Sequence, residues 1–243
     1  MSETTLLASR LFWVLIGPFA GLYVATFAAA WPRQPRPLVG RSRCDRCHAP
    51  LRAIDQVPLL SYVLKGGRRG CCDGRIPRTF PLGEGGGLAV GLIAALFPQP
   101  LQAGLAALLG FCLLYLGLVD LRRYRLPIPA LMLAAALSLG LRALTRWQDL
   151  PADLLGAAVV MAMMLLLRRL GPGRGAGAGM GAGDVALAGI VALLTGWRLA
   201  PLGIALTALA PLLVMAISRR RGPTAFGFWL CLTGCIALIS VGF

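Results

Sequence analysis

The chain has 243 residues, 58% of them hydrophobic, and a mean hydropathy of +0.76, which excludes an ordinary soluble domain at roughly 45–50% apolar. Its formal charge of +15 comes from 24 Lys and Arg against 9 Asp and Glu. In a soluble protein that balance would suggest a nucleic-acid surface, but here the cations fall between apolar runs, the pattern of cations retained on one side of a bilayer.

The first apolar run, 11–30, is long enough to cross a hydrocarbon core and carries no A-x-A-like cleavage site. It is expected to persist as a helix and not to be a signal peptide. The stretch 32–81 follows, with 11 Lys and Arg and with Cys44, Cys47, His48, Cys71 and Cys72. In a cytoplasmic loop such thiols point to metal binding and not to disulfides. Further apolar runs fall at 82–98, 101–120, 128–141, 152–167, 184–198, 201–217 and 224–243, so about eight membrane helices are expected. Strands are not expected, because lipid offers no partner to an open backbone N–H or C=O. Pro98 to Pro100 and Trp197 to Pro201 predict two tight hairpins, and 171–183 is a glycine-rich stretch. The expected architecture is an all-α integral membrane protein in three parts: a first helix over 1–31, a basic loop over 32–81 and a helical domain over 82–243.

With alternating helices and the 32–81 loop placed in the cytoplasm, 20 Lys and Arg fall on the cytoplasmic side. Arg10, Arg142, Arg146 and Arg198 fall on the other, a bias that predicts both termini outside. Trp31, Trp147 and Trp197 sit at expected interfaces, where the indole ring is a natural anchor. Cys112, Cys231 and Cys235 lie within apolar runs and read as core residues.

Asp120 closes one apolar run and Asp184 opens another, both at the expected cytoplasmic edge. An ionisable group at that depth costs free energy, so it is a candidate functional group with a partner to be found. Two carboxylates facing each other share a proton, one serving as general base and the other as general acid, and such a pair activates water. The plainer reading is that each caps a helix or neutralises neighbouring arginines. Gly179, Gly181 and Gly183 precede Asp184 and leave room for a close backbone approach. A nucleotide-binding glycine loop is disfavoured, since no strand precedes it and the P-loop Lys-Ser or Lys-Thr is missing. His48 is the sole histidine and stands beside Cys47, which argues against Ser-His-Asp and Cys-His chemistry.

Gly181-Ala182-Gly183-Asp184 matches the GxGD signature of intramembrane-type aspartyl peptidases, and Met180 to Val185 resembles the prepilin peptidase family. Asp120 with Leu126-Pro127, Cys44 and Cys47, Val57-Pro58-Leu59-Leu60-Ser61-Tyr62, Ile76-Pro77 and Phe80-Pro81-Leu82-Gly83-Glu84 resemble that family in order. The resemblance implies an enzyme of the bacterial inner membrane, its site open to the cytoplasm, that cleaves the leader from prepilins or pseudopilins after a glycine. Asp120 and Asp184 would be the catalytic pair, Gly179, Gly181 and Gly183 would admit the scissile backbone, and Glu84 would orient substrate or pair with a loop arginine. A structural zinc ion would be held by Cys44, Cys47, Cys72 and either Cys71 or His48, the alternative being unligated thiols.

The chain departs from the family in reading Gly17-Pro18-Phe19-Ala20-Gly21 in its first helix, Ala186 two residues after Asp184, and Phe226-Gly227-Phe228 where Phe-Gly-Pro is usual. These departures weigh against S-adenosylmethionine as a cofactor. The expected partners are prepilins or pseudopilins and the bilayer, with no nucleic acid. The competing readings are a degenerate homologue that binds pilin-like helices without cleaving them, and a small proton-coupled transporter.

Overall fold

The computed structural model describes residues 3–32, 43–44, 46–52, 57–72, 74–170, 181–205, 207, 209 and 225–242. In chain order the named helices are α1 (Glu3–Ala30), α2 (Leu60–Leu64), α3 (Thr79–Ala94), α4 (Pro100–Arg123), α5 (Ile128–Thr145), a 3-10 turn (Trp147–Asp149), α6 (Leu150–Leu170), α7 (Ala182–Thr195) and α8 (Phe226–Gly242). Residues 200–205 are also helical. Among the described residues the extended pairing is confined to two isolated bridges, Arg43 with Pro50 and Arg68 with Arg75.

Four stretches are long and apolar enough to cross a membrane: Leu6–Ala30, Pro100–Arg123, Ile128–Thr145 and Trp147–Arg169. Ala182–Thr195 and Phe226–Val241 are shorter apolar helices. Most of the expected 201–217 run lies outside the described residues. The expected hairpins are present, with five residues between α3 and α4 and a short turn through Gly196 after α7.

Several helices run past the ends that hydropathy suggested, α1 and α6 most of all. α1 starts at Glu3 and α6 continues to Leu170, because Arg10, Arg168 and Arg169 are good helix formers that end an apolar run without ending a helix. α2 was not expected at all. Its backbone begins from Leu59 at φ 60°, a left-handed conformation that hydropathy does not report.

Small residues let these helices approach. Gly17 and Gly21 of α1 face Gly83, Gly87 and Gly91 of α3, and a Cβ at Gly87 would lie 2.7 Å from the Gly21 Cα. In lipid, where apolar burial supplies no net drive, such close backbone contact is what holds neighbouring helices together. α3 runs antiparallel to α4, with Gly110 making room for Val90 and Gly86 for Leu114.

α4 lies at the centre. Its Leu109, Leu113 and Leu116 are buried with Leu187, Val191 and Leu194 of α7 and with Leu230 and Leu238 of α8. Cys112 and Cys231 are buried in that core and Cys235 is packed against it, as their apolar settings suggested. The Cys112 thiol donates to the Ala130 carbonyl at 3.2 Å and so ties α4 to α5.

At one end of the bundle Arg142 of α5 forms a buried ion pair with Asp153 of α6. Asp153 Oδ1 also accepts the N–H of Trp197 at 2.9 Å, just after Gly196 turns at φ 75°. Three helices are pinned there. Arg142, counted from the sequence as an interface cation, is a structural one. Trp147 and Trp197 are exposed at this end, and the Arg198 guanidinium stands over the Trp197 ring at 5.4 Å.

Candidate active site

The other end of the bundle gathers the end of α4 and the starts of α5, α7 and α8. Tyr124 stops α4 by turning left-handed at φ 53°, ψ 35° and gives its N–H to the Asp120 carbonyl at 2.9 Å. Arg122, in the same last turn, reaches Thr79 Oγ1 of α3 at 3.2 Å. Asp120 points inward and is 4% exposed.

Asp184 is the third residue of α7 and is half-buried. Its Oδ2 accepts the Gly181 N–H at 2.9 Å, while its own N–H donates to the Gly181 carbonyl at 3.2 Å. The helix-capping role considered for Asp184 is therefore present, and it occupies one oxygen. The other oxygen faces Gly227, where a Cβ would lie 3.2 Å from Asp184 Oδ1.

Asp120 reaches the same glycine. That Cβ would lie 3.0 Å from both Cγ and Oδ2 of Asp120, and Oδ2 accepts the Phe228 N–H at 3.0 Å. Two carboxylates far apart in sequence thus flank the first turn of α8. Asp184 accepts one backbone N–H, Asp120 accepts that of Phe228 with the Gly227 N–H also turned toward it, and both keep lone pairs to spare for a water or a substrate group.

The neighbouring glycines divide. Gly183 packs on the turn after α4, where its Cβ would lie 3.0 Å from Leu126 Cβ. Gly181 is exposed at the rim of the carboxylate pair. Gly179 lies outside the described residues.

Glu84 is buried in α3, and its Oε2 accepts the Leu59 N–H at 2.7 Å. Among the described residues the group it meets is a loop backbone donor.

Cys44, Cys47, Cys71 and Cys72 form one cluster, every pair of sulfurs within 4.8 Å. Two bridge-closed turns build it. Arg43 pairs with Pro50 around Cys44 and Cys47, and Arg68 pairs with Arg75 around Cys71 and Cys72. Sulfur separations are 3.9 Å for Cys44–Cys72 and 3.3 Å for Cys47–Cys71. Zinc bonded tetrahedrally at ~2.3 Å sets its thiolates roughly 3.8 Å apart, so the four thiols fit such an ion.

His48 stands outside that group, and its backbone, at φ 56°, turns the chain between Cys47 and Ala49. The backbone N–H of Cys47, with that of Arg46 and the Arg69 guanidinium, lowers the Cys44 thiol to about 5 in spite of its burial. Cys71, hydrogen-bonded to the thiols of Cys47 and Cys44, is pushed up to about 12.

Three participants had no part in the expected site. Gly227 and Phe228 lie in a motif that the sequence marks only as a departure from Phe-Gly-Pro, and Leu59 contributes a main-chain donor. Nothing in the sequence marks them further, since a glycine and main-chain N–H groups carry no side-chain signature.

Residues 15–97 match the bacterial peptidase A24 N-terminal domain, and residues 107–217 match the type IV leader peptidase family. The chain is 30% identical over 239 residues to a prepilin leader peptidase/N-methyltransferase of Dickeya chrysanthemi, covering 92% of this chain and 79% of that protein. Proteins of the same name from Stutzerimonas stutzeri and Pseudomonas aeruginosa are 29% and 30% identical, each match covering 82% of this chain and 71% of the relative. No solved structure matches. By these matches the chain belongs to the type IV leader peptidase family.

Proposed function

We propose that this protein is a membrane aspartyl endopeptidase that removes the leader from prepilins or pseudopilins, using water activated between Asp120 and Asp184. The observation that carries the reading is the approach of both carboxylates to Gly227 from separate helices. In the reaction one carboxylate, ionised, takes a proton from water as the water oxygen bonds to the scissile carbonyl carbon. The other, protonated, delivers its proton to the departing amide nitrogen as the C–N bond breaks. One proton enters the pair and one leaves it, so the pair is ready for another turnover.

The cation distribution supports a cytoplasmic site. The end of the bundle with Asp120 and Asp184 also carries Arg122, Arg123, Arg168 and Arg169 and leads into the basic 32–81 loop. The four-thiol cluster, through Cys44, Cys47, Cys71 and Cys72, would hold zinc as a structural brace between the two turns of that loop. Gly181 at the rim leaves an approach for an extended substrate backbone. Only the peptidase step is assigned. N-methyl transfer, the second activity in the relatives' names, is set aside because of the departures at Gly17 to Gly21 and at Ala186.

The test is cleavage of a co-expressed prepilin in membranes. Asp120→Asn and Asp184→Asn are each expected to reduce processing by at least about 100-fold while the protein still accumulates in the membrane. Normal processing by either variant would remove the pair from the mechanism, whereas no processing by the unaltered protein would favour a homologue that binds pilin-like helices without cutting them.

A further inference from the structure

The first turn of α8 meets both carboxylates, yet none of its side chains has a part in the proposed chemistry. Gly227 is the nearer contact. A Cβ there would sit 3.0 Å from Asp120 Oδ2 and 3.2 Å from Asp184 Oδ1. Both separations are tighter than ordinary van der Waals contact, so a methyl at 227 would press on the two acids at once. Any side chain there would push one or both carboxylates away from this turn.

Phe228 supplies the second contact, its N–H donating to Asp120 Oδ2 at 3.0 Å. A hydrogen bond to a carboxylate is short-ranged and directional, and it fixes which way the group faces. The turn itself is seated on α4. A Cβ at Gly117, one helical turn before Asp120, would lie 3.4 Å from the Phe228 ring and 3.3 Å from Cys231 Cβ, so α8 rests directly on the α4 backbone at that level. Residue 228 has an N–H to give only because it is not proline.

We propose that Gly227 and Phe228 are positioning residues of the site: Gly227 leaves the space in which both carboxylates close on the same helical turn, near enough to share one water, and the Phe228 N–H holds Asp120 in that orientation. This rests on the peptidase reading above. It adds a size limit at 227 and assigns to the main chain at 228 a role that side-chain identity does not reveal.

The experiment uses the full-length protein in detergent micelles with a purified prepilin whose basic leader ends in glycine, measuring kcat and KM separately. Gly227→Ala is expected to lower kcat by about 100-fold, the scale of a misplaced reactive group, with KM changed less than about threefold. Gly234→Ala, on the same helix, places a methyl 3.1 Å from a Leu113 side-chain carbon and is the off-site control, expected to keep kcat.

At 228 the comparison is between two variants. Phe228→Ala loses the ring and keeps the N–H, whereas Phe228→Pro loses both, and helices accept proline in the first turn. Phe228→Pro is expected to fall about tenfold below Phe228→Ala in kcat, the scale of one hydrogen bond to a charged group, at similar KM. Wild-type kcat in Gly227→Ala overturns the space-keeping role, and equal kcat in the two Phe228 variants overturns the hold on Asp120. Should Gly227→Ala fail to accumulate, the Phe228 pair decides the proposal. Asp120→Asn and Asp184→Asn run alongside: wild-type activity in those would sink the assignment of the catalytic pair on which this inference rests, whereas inactive Asn variants beside a fully active Gly227→Ala would sink only the present inference.

Discussion

Glu84 accepts a hydrogen bond from the backbone N–H of Leu59 at 2.7 Å, so a buried carboxylate on α3 holds the loop segment that leads into α2. Leu59 is left-handed at φ 60°, a conformation that leucine seldom takes unless its surroundings impose it. Glu84→Ala is expected to leave that N–H without its acceptor, at a local cost of about 1–3 kcal/mol. Glu84→Gln, which retains a carbonyl oxygen, should cost much less. Limited trypsin digestion at Lys65 and Arg68 reads the difference, with cleavage about tenfold faster in Glu84→Ala as a 1.4 kcal/mol loss of local stability requires.

The Arg142–Asp153 pair at the opposite end behaves as a structural unit. Asp153→Leu leaves a buried guanidinium uncompensated and removes the acceptor of the Trp197 N–H, so a loss of about 3–5 kcal/mol is expected. Adding Arg142→Leu removes the stranded charge and should recover part of that loss. Thermal unfolding in detergent of both single variants and the double variant gives the coupling. Strict additivity would contradict it.

Along the α1–α3 contact, Gly87→Leu is expected to force the helices apart, since even a methyl would meet the Gly21 Cα at 2.7 Å. A fall of several degrees in unfolding temperature should follow, with less protein retained in the membrane. Gly140→Ala, which meets nothing within 4 Å, should be neutral or stabilising by about 0.5–1 kcal/mol because alanine orders more readily in a helix.

For the four thiols the expectation is one zinc per chain in protein purified from zinc-containing medium, measured by elemental analysis. Cys47→Ser and Cys71→Ser should each lower the bound fraction, whereas His48→Ala should leave it intact. Loss of zinc in His48→Ala with retention in Cys71→Ser would reverse the ligand assignment.

The apolar runs 11–30, 82–98, 101–120, 128–141, 152–167 and 184–198 were legible as helices because the periodicity of a lipid-facing span is simple: nearly every residue is apolar. Cys44, Cys47 and Cys72 were legible as a set, but the fourth member was left between Cys71 and His48, and only the fold of the Arg68–Arg75 turn shows the Cys71 sulfur beside the other three. Asp120 and Asp184 were legible as unusual charges in apolar settings. What brings them together was not, because it is a glycine and a main-chain N–H on α8, groups without a side-chain signature. The pairing of Arg142 with Asp153 was hidden for another reason: a cation near the end of an apolar run looks the same whether it faces headgroups or a buried acid.

The 14 residues of α7 have a consequence for the bilayer itself. At 1.5 Å per residue such a helix rises about 21 Å, roughly a third short of a ~30 Å hydrocarbon core. A helix that short crosses a bilayer only where lipid thins or where headgroups and water dip toward its end, each at a modest cost. With Asp184 in its first turn, such a mismatch would bring the aqueous phase toward the acid as well as the acid toward it. The hydrolysis proposed above, on a lipid-embedded substrate, would draw on that supply of water.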